Sequence, residues 1–181
     1  MTDEARIIVI AGLPGVGKST VAHLVASRLG RAAHVEADRL HEMIVAGAVH
    51  PKASGPTGEA AAQVRLRLKN ATVLARSFVA AGFSAVIDDI ITGSRFDDLV
   101  EDLGDTPFCF VMLLRDLEVM KDEWRAIGSP FVDSFDWLDQ EIREQTPRRG
   151  LWIDTTGVSV EDTVEAVLAG LDDAVVTRDT N

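Results

Sequence analysis

The feature that most constrains this chain is a glycine-rich run near its N-terminus, set between an apolar stretch and an amphipathic one. The run fits the pattern Gly-x-x-x-x-Gly-Lys-Ser from Gly12 to Ser19. Residues 7–11, which precede it, are mostly β-branched and predict a buried strand. Residues 19–29, which follow, carry apolar side chains at helical spacing. A strand, a loop of this spacing and a helix, in that order, predict a phosphate-binding loop.

The residue types of this loop suit the binding of a nucleoside triphosphate. Glycines allow backbone N–H groups to surround phosphate oxygens, and the following helix adds its positive N-terminal end. We expect Lys18 to contact the β- and γ-phosphates, Ser19 to ligate Mg²⁺ and Thr20 to lie near the α-phosphate. A chance glycine-rich turn would not explain the flanking strand and helix. The expected nucleotide-binding residues are Gly12, Leu13, Pro14, Gly15, Val16, Gly17, Lys18, Ser19 and Thr20.

The remainder of the chain alternates short apolar runs with amphipathic stretches, which predicts a three-layer α/β fold around a parallel sheet. Four further strands are predicted at residues 33–36, 84–88, 108–114 and 151–153. Helices are predicted at residues 19–29, 39–45, 59–80, 96–103, 117–127, 133–144 and 159–171. Residues 47–58, rich in glycine and proline, predict a long loop, and residues 175–181 a frayed tail. Ligands on such sheets bind beyond the carboxyl ends of the strands.

Composition narrows the classes of partner. The net charge of −11 disfavours a nucleic-acid or anionic membrane partner, because the overall field repels both. The apolar run at residues 7–12 is too short to span a membrane, and the acidic residues before it do not form a signal peptide. The single cysteine, Cys109, excludes an internal disulfide and a multi-cysteine zinc site. We expect one cytoplasmic domain, residues 1–181, acting as a monomer or homodimer.

Carboxylates follow two of the predicted strands. Asp88 and Asp89 end the third strand. One of them, preferably Asp88, is expected to hold hydrated Mg²⁺. The alternative for each is a role as a helix N-cap or in a turn. Asp38 follows the second strand and is a candidate general base for a substrate hydroxyl. The alternative for Asp38 is a cap for the helix that is predicted from Arg39, and the two roles are compatible.

Arginines are expected to neutralise the transferred phosphoryl group. The candidates lie in the second half of the chain: Arg115, Arg125, Arg143, Arg148 and Arg149. Arg125 is preferred because it ends a helix just before Gly128-Ser129-Pro130, which predicts a short lid over residues 125–145. Arg148 and Arg149 are expected to be surface charges.

Taken in order, these segments resemble small P-loop kinases of the adenylate-kinase-like group, especially chloramphenicol-phosphotransferase-like and gluconate-kinase-like proteins. They are Gly-Leu-Pro-Gly-Val-Gly-Lys-Ser-Thr at 12–20, Glu-Ala-Asp-Arg at 36–39, Val-Ile-Asp-Asp at 86–89, Leu-Leu-Arg-Asp-Leu-Glu-Val at 113–119 and Ile-Asp-Thr-Thr-Gly-Val-Ser-Val-Glu-Asp-Thr-Val at 153–164. Only the first is highly specific. One departure from the pattern is that Lys121 and Arg125 are the only basic residues between 116 and 128, where such lids usually carry several arginines.

The resemblance implies a P-loop NTPase fold with a five-stranded parallel sheet of order 2-3-1-4-5, helices on both faces and a short lid. It implies transfer of the ATP γ-phosphate, with Mg²⁺, to a hydroxyl of a small molecule such as an antibiotic, a sugar acid or another metabolite. The base would be Asp38 and the lid arginine Arg125, while Thr155 to Val158 would lie near the adenine. Residues 39–80 would form the acceptor-binding region.

Two other functions are compatible with the motifs. A nucleotide-dependent binding or regulatory module would use the same loop without an acceptor. A polynucleotide kinase domain is the other, since Glu-Ala-Asp-Arg at 36–39 also resembles a motif of that enzyme, but the acidic charge and the lack of a basic stripe disfavour it. No Asn-Lys-x-Asp guanine signature is present, which favours ATP over GTP.

Overall fold

The computed structural model describes residues 4–52, 55–129, 132 and 134–178. Its sheet contains strands of mostly apolar residues, and the two central strands at residues 7–12 and 84–89 are buried along their whole length, as expected for parallel strands covered on both faces. The strands are β1 (Ile7–Gly12), β2 (Ala32–Glu36), β3 (Ser84–Asp89), β4 (Phe108–Leu114), β5 (Leu151–Asp154) and β6 (Val175–Val176). The first five are parallel in the order β2-β3-β1-β4-β5, which confirms the predicted order.

Helices cover both faces of the sheet. They are α1 (Lys18–Arg28), α2 (Ala37–Glu42), α3 (Glu59–Ala80), α4 (Ser94–Leu103), α5 (Leu117–Ala126), α6 (Asp136–Gln145) and α7 (Val160–Ala169). Helix α1 packs with α7, whereas α3 packs with α2 and α4. The core between these layers is mostly apolar and is centred on β1, whose six residues are all buried.

The strand register brings the predicted functional residues to one edge of the sheet. Ile10 of β1 is level with Asp88 of β3, and Asp88 in turn is level with Glu36 of β2. The glycine-rich run leaves β1 at this same edge, directly after Gly12. The carboxyl ends of neighbouring parallel strands therefore place the loop, Asp88 and the start of α2 together.

Several predicted boundaries differ from the structure, and two of them change the interpretation. Helix α2 begins at Ala37 rather than at residue 39, so Asp38 lies inside its first turn and Glu36 occupies the N-cap position. The tail predicted from residue 175 was wrong at its start, because Val175 and Val176 pair antiparallel with β4. Two apolar residues carry too weak a pattern to predict a strand. Residues 179–181 lie outside the described residues.

The predicted long loop between α2 and α3 is irregular where the chain is described, and the lid at residues 125–145 stays a prediction. Among the described residues between α2 and α3 there is no helix and no strand beyond an isolated β-bridge between Lys52 and Gly55. Residues 53–54 lie outside the described residues. A break was predicted at residues 128–132, of which residues 130–131 lie outside the described residues. The next helix was predicted from residue 133, which is also outside them, and α6 begins at Asp136.

Ser159 caps α7, as its sequence position predicts. Its hydroxyl oxygen accepts a hydrogen bond from Asp162 N at 3.1 Å, which satisfies one of the free N–H groups of the first turn. Ser159→Ala is expected to lower the free energy of unfolding by about 1 kcal/mol, measured by urea denaturation. Ser27→Ala is the matched control, since Ser27 is exposed within α1 and bonds only the His23 carbonyl. Equal losses in the two variants would contradict a capping role.

Candidate active site

The glycine-rich loop adopts backbone conformations that side chains would disrupt. Gly12 has a positive φ of 152°, and a Cβ there would lie 2.6 Å from the carbonyl oxygen of Leu113. Gly17 has φ 100° and directly precedes α1, so the loop turns sharply into the helix N-terminus. Leu13 and Val16 are buried and anchor the loop, whereas Ser19 is exposed at its rim. The first N–H groups of α1 therefore lie at the end of the loop, and free N–H groups at a helix N-terminus favour an anion.

Lys18 carries a cation that the protein does not fully compensate. Its ammonium group donates to the Leu13 carbonyl oxygen at 2.9 Å, which folds the side chain back over the loop. Burial lowers the pKa of Lys18, and the nearby carboxylates of Asp88, Asp38 and Asp89 oppose that shift. A desolvated cation beside a ring of N–H groups favours a phosphate ligand.

Asp88 lies next to the loop and is held by two side chains. Ser19 Oγ donates to Asp88 Oδ2 at 2.5 Å, and His34 Nε2 donates to Asp88 Oδ1 at 2.7 Å. Burial acts to raise the pKa of Asp88, but the bonds from His34 and Ser19 and the charge of Lys18 hold it below its usual value. Asp88 is therefore an ionised carboxylate, with a serine hydroxyl beside it.

Asp89 faces a different group of residues. Its side chain is fully buried and accepts from Arg67 of α3 and, at 3.4 Å, from Arg95 of α4. Arg67 also donates to Asp38 Oδ1 at 2.7 Å. The side chain of Asp38 is 78% exposed and bonds Arg67 from within the first turn of α2, so the predicted role as a cap for a helix starting at Arg39 was wrong.

Helix α5 contacts the glycine-rich loop through a tryptophan. The indole of Trp124 lies so near Gly15 that a Cβ on this glycine would be 3.2 Å from Trp124 Nε1. Trp124 also packs edge-on against Phe135, with ring centroids 5.6 Å apart. Lys121 joins α5 to α6, because its ammonium group donates to Asp136 at 2.5 Å. Helix α5 is packed onto the glycine-rich loop through Trp124.

The structure does not bring every predicted arginine to the loop. Arg125 is half exposed and donates to Asp122 at 2.6 Å, one turn earlier in α5. Arg143 donates to Asp139 in α6 and to the Arg115 carbonyl, near the end of β4. The guanidinium of Arg148 stacks on Trp152, away from the loop. The role of Arg125 in phosphoryl transfer stays a prediction.

The loop after β5 is tied to the end of β4. Thr155 is buried, and its N–H and hydroxyl both donate to the Leu114 carbonyl, at 2.8 and 3.0 Å. Thr156 Oγ1 accepts from Asp116 N at 2.8 Å. The N–H of Val158 donates to the Thr155 carbonyl, and the Val158 side chain is partly exposed. These contacts hold the 155–158 loop at the carboxyl edge of the sheet, two strands from β1.

A cavity of about 360 Å³ lies beside the glycine-rich loop. Pro14 of the loop forms one wall, Val64 and Arg67 of α3 a second, and the lid a third. The remaining described residues that line it are Pro51, Lys52, Gly55, Pro56, Ile90, Arg95, Ser134, Phe135, Trp137 and Leu138. Its volume is in the range of small-molecule sites. A second cavity of about 360 Å³ adjoins it, and the two share Gly55, Pro56, Val64, Arg95, Trp137 and Leu138.

A family model described as an AAA domain, AAA_33, matches residues 7–122, well over half of the chain. The chain belongs to the AAA_33 family. No curated protein has a significantly similar sequence.

Solved structures resemble this AAA_33 chain over nearly its whole length. A sugar kinase from Janibacter sp. HTCC2649 is 24% identical, with a TM-score of 0.69 over 94% of this chain and 96% of that one. A tunicamycin resistance protein from Deinococcus radiodurans is 22% identical, with a TM-score of 0.67 over 95% and 98%. The Mycobacterium tuberculosis APS kinase CysC, in complex with AMPPNP and APS, is 20% identical, with a TM-score of 0.69 over 93% and 98%. At these identities the likeness shows the fold, that of small P-loop kinases.

Three residues of this AAA_33 site were missed from sequence. Arg67 had a signal, because it interrupts the apolar face of α3 formed by Val64, Leu68 and Ala71. His34 and Arg95 had none, since a histidine in a weak strand and an arginine early in a helix are usually solvated.

Within the described ranges, the helices are too short or too polar to cross a bilayer.

Proposed function

We propose that this AAA_33 protein is an ATP-dependent phosphotransferase that moves the γ-phosphate to a hydroxyl of a small molecule. The observation that carries the proposal is the cavity between Pro14, α3 and the lid. A protein that only binds or slowly hydrolyses a nucleotide needs no cavity for an acceptor beside its phosphate loop. The cavity instead suits an acceptor whose hydroxyl approaches the nucleotide from the α3 side.

The nucleotide half of the site is assigned to the loop and the two strand ends beside it. Lys18 and the loop N–H groups bind the β- and γ-phosphates, and Thr20 lies near the α-phosphate. The 155–158 loop, including Thr155 and Val158, contacts the adenine. ATP is the favoured donor, and the AMPPNP bound to one structural neighbour is consistent with it.

Mg²⁺ fits the residues at the rim of the loop. Ser19 and Asp88 present oxygen atoms 2.5 Å apart, and magnesium prefers a hydroxyl, a carboxylate and phosphate oxygens as ligands. Among the described residues, no group of three or more His, Cys, Asp or Glu could hold a metal ion by itself. Magnesium that is bound partly through the triphosphate needs no such group. The ion would neutralise charge on the phosphates.

The acceptor half of the site is assigned to residues 39–80 and the lid. Asp38 accepts the proton of the attacking hydroxyl, because it is an exposed carboxylate in the first turn of α2, close enough to Lys18 of the loop to affect the pKa of Lys18. Arg67 orients Asp38 through the 2.7 Å bond. The lid, residues 125–145 with Arg125, closes over the transferred phosphoryl group and excludes water.

An ATP-consumption screen tests the proposed function. Purified protein with Mg·ATP is offered sugars, sugar acids, nucleosides, hydroxy acids, and aminoglycoside and phenicol antibiotics. We expect at least one compound to accelerate ADP formation by about 100-fold or more over the rate without an acceptor, since a bound hydroxyl competes with water as an oriented nucleophile. Slow ATP loss that no hydroxyl compound accelerates would instead show a regulatory module.

A further inference from the structure

The cavity beside the phosphate loop carries an excess of positive charge. Its described lining residues include Lys52, Arg67 and Arg95, and none of the described ones is an acid. The whole chain has a net charge of −11, so cations at this site are not a consequence of composition. A positive cleft in an acidic protein concentrates anions.

The two arginines share one buried carboxylate. Asp89 is fully buried and accepts from both Arg67 and Arg95, the second over 3.4 Å. The other partner of Arg67 is Asp38, whose side chain is largely exposed to solvent. The side chain of Arg67 is itself about nine-tenths buried, and its Nε–H is buried without any acceptor.

Arg95 is the less compensated of the pair. Burial lowers the pKa of its guanidinium, and so does the charge of Arg67. The charges of Asp89, Glu141 and Asp98 oppose the shift without cancelling it. Desolvated cations are costly unless they are paired and hydrogen-bonded. Arg95 therefore presents guanidinium donors to the cavity that its 3.4 Å contact with Asp89 does not fully satisfy, and Arg67 lies beside it in the same lining.

The adjoining cavity does not share this imbalance. It contains Asp98 and Glu141, but Asp98 pairs with Arg65, and Glu141 accepts from the Thr92 hydroxyl at 2.9 Å. Arg95 lines both cavities, whereas Lys52 and Arg67 line the cavity next to Pro14 and the phosphate loop. The opposite wall of the first cavity is apolar, formed by Phe135, Trp137 and Leu138.

We propose that the acceptor is an anionic alcohol, a small molecule that carries, besides the hydroxyl to be phosphorylated, a carboxylate or phosphate group bound by Arg95 together with Arg67. This inference rests on the proposed function and specifies its substrate class. The planar arginine fork matches the two oxygens of a carboxylate or phosphate, which a neutral alcohol cannot offer. The body of the acceptor packs against the apolar wall of the lid.

Matched pairs of acceptors test this inference. Each pair has the same carbon skeleton with and without the anion: sugar acids against sugars, sugar phosphates against sugars, and hydroxy acids against their amides. ADP formation is measured for each compound. We expect the anionic member of the productive pair to have a kcat/KM at least about 30-fold higher, which corresponds to one charge-assisted contact. The type of pair with the larger ratio of kcat/KM, anionic over neutral, shows whether the bound anion is a carboxylate or a phosphate.

Arg95→Gln distinguishes recognition from a structural role. Asp89 keeps Arg67 as its partner in this variant, so the fold is expected to persist. We expect KM for the anionic acceptor to rise about 30-fold, while KM for ATP and the melting temperature change little. Arg95→Lys keeps the charge but not the fork, and is expected to retain part of the preference. Arg76→Gln is the matched control, since Arg76 is exposed on α3 and bonds only the Asp102 carbonyl.

The failure of this inference is distinct from the failure of the proposed function. If neutral acceptors are phosphorylated as well as anionic ones, or if Arg95→Gln keeps the preference for the anion, the inference is wrong and the kinase function stands. If no compound of either kind accelerates ADP formation, the proposed function fails and the inference fails with it.

Discussion

Lys18→Ala is expected to weaken the binding of Mg·ATP or Mg·AMPPNP by about 100-fold, since it removes a charge-assisted contact with the β- and γ-phosphates. The unliganded protein is expected to keep or gain stability. Burial lowers the pKa of Lys18 in the folded state, which means that the charged ammonium is penalised by folding at neutral pH. Alanine removes that penalty and loses only the bond to the Leu13 carbonyl. Fluorescence titration and thermal denaturation, with and without nucleotide, measure both effects.

The matched control is Lys69→Ala, which removes an exposed lysine from α3. Its affinity for AMPPNP is expected to equal that of the wild type. If Lys18→Ala bound the triphosphate as tightly as Lys69→Ala does, the glycine-rich run would not be the phosphate site. A nucleotide-induced rise in melting temperature that survived undiminished in Lys18→Ala would contradict the same assignment, independently of the titration.

Asp38→Asn is expected to reduce phosphoryl transfer to the acceptor by about 100-fold or more, since it removes the general base. Asparagine keeps the shape of the side chain and an oxygen that can accept from Arg67, but it cannot take up a proton. The affinity for AMPPNP is expected to stay within about 3-fold, because the base acts on the acceptor and not on the nucleotide. Steady-state rates at saturating ATP and acceptor, together with AMPPNP titration, separate the two effects.

Glu42→Gln is the control for Asp38→Asn, because it removes an exposed acid from the same helix, where Glu42 accepts from Arg39. Transfer by Glu42→Gln is expected to match the wild type. An Asp38→Asn variant that transferred phosphate at the wild-type rate would show that the Asp38 carboxylate serves only to pair Arg67. The base would then have to be sought among other groups that touch the acceptor.

The fold could be predicted because it depends on local patterns. The β-branched run before Gly12 and the alternation of apolar and amphipathic stretches predict strands and helices one by one, and the resemblance to P-loop kinases predicts the sheet order. The boundary of α2 was off by two residues, since Glu36 has no side-chain capping bond to mark the start. The two-residue strand β6 lacks any periodic signal.

The arrangement of the site could be predicted only in part. Sequence placed Asp88 and Asp89 at a strand end, but successive residues of a strand point to opposite faces, and the sequence does not say which face carries α1. The structure shows that Asp88 meets Ser19 and His34, whereas Asp89 meets Arg67. Contacts between residues far apart along the chain, such as Arg67 with Asp38 and Asp89, depend on packing angles that no local pattern encodes.

Following the γ-phosphate itself distinguishes a kinase from an ATPase most directly. ATP labelled in the γ-phosphate is incubated with the protein, Mg²⁺ and the acceptor found in the screen, and the products are separated. The site described for Lys18, Asp38 and Asp88 predicts that the label moves to the acceptor as a phosphate ester, in an amount equal to the ADP formed. Recovery of all of the label as inorganic phosphate, with every acceptor, would contradict a phosphotransferase.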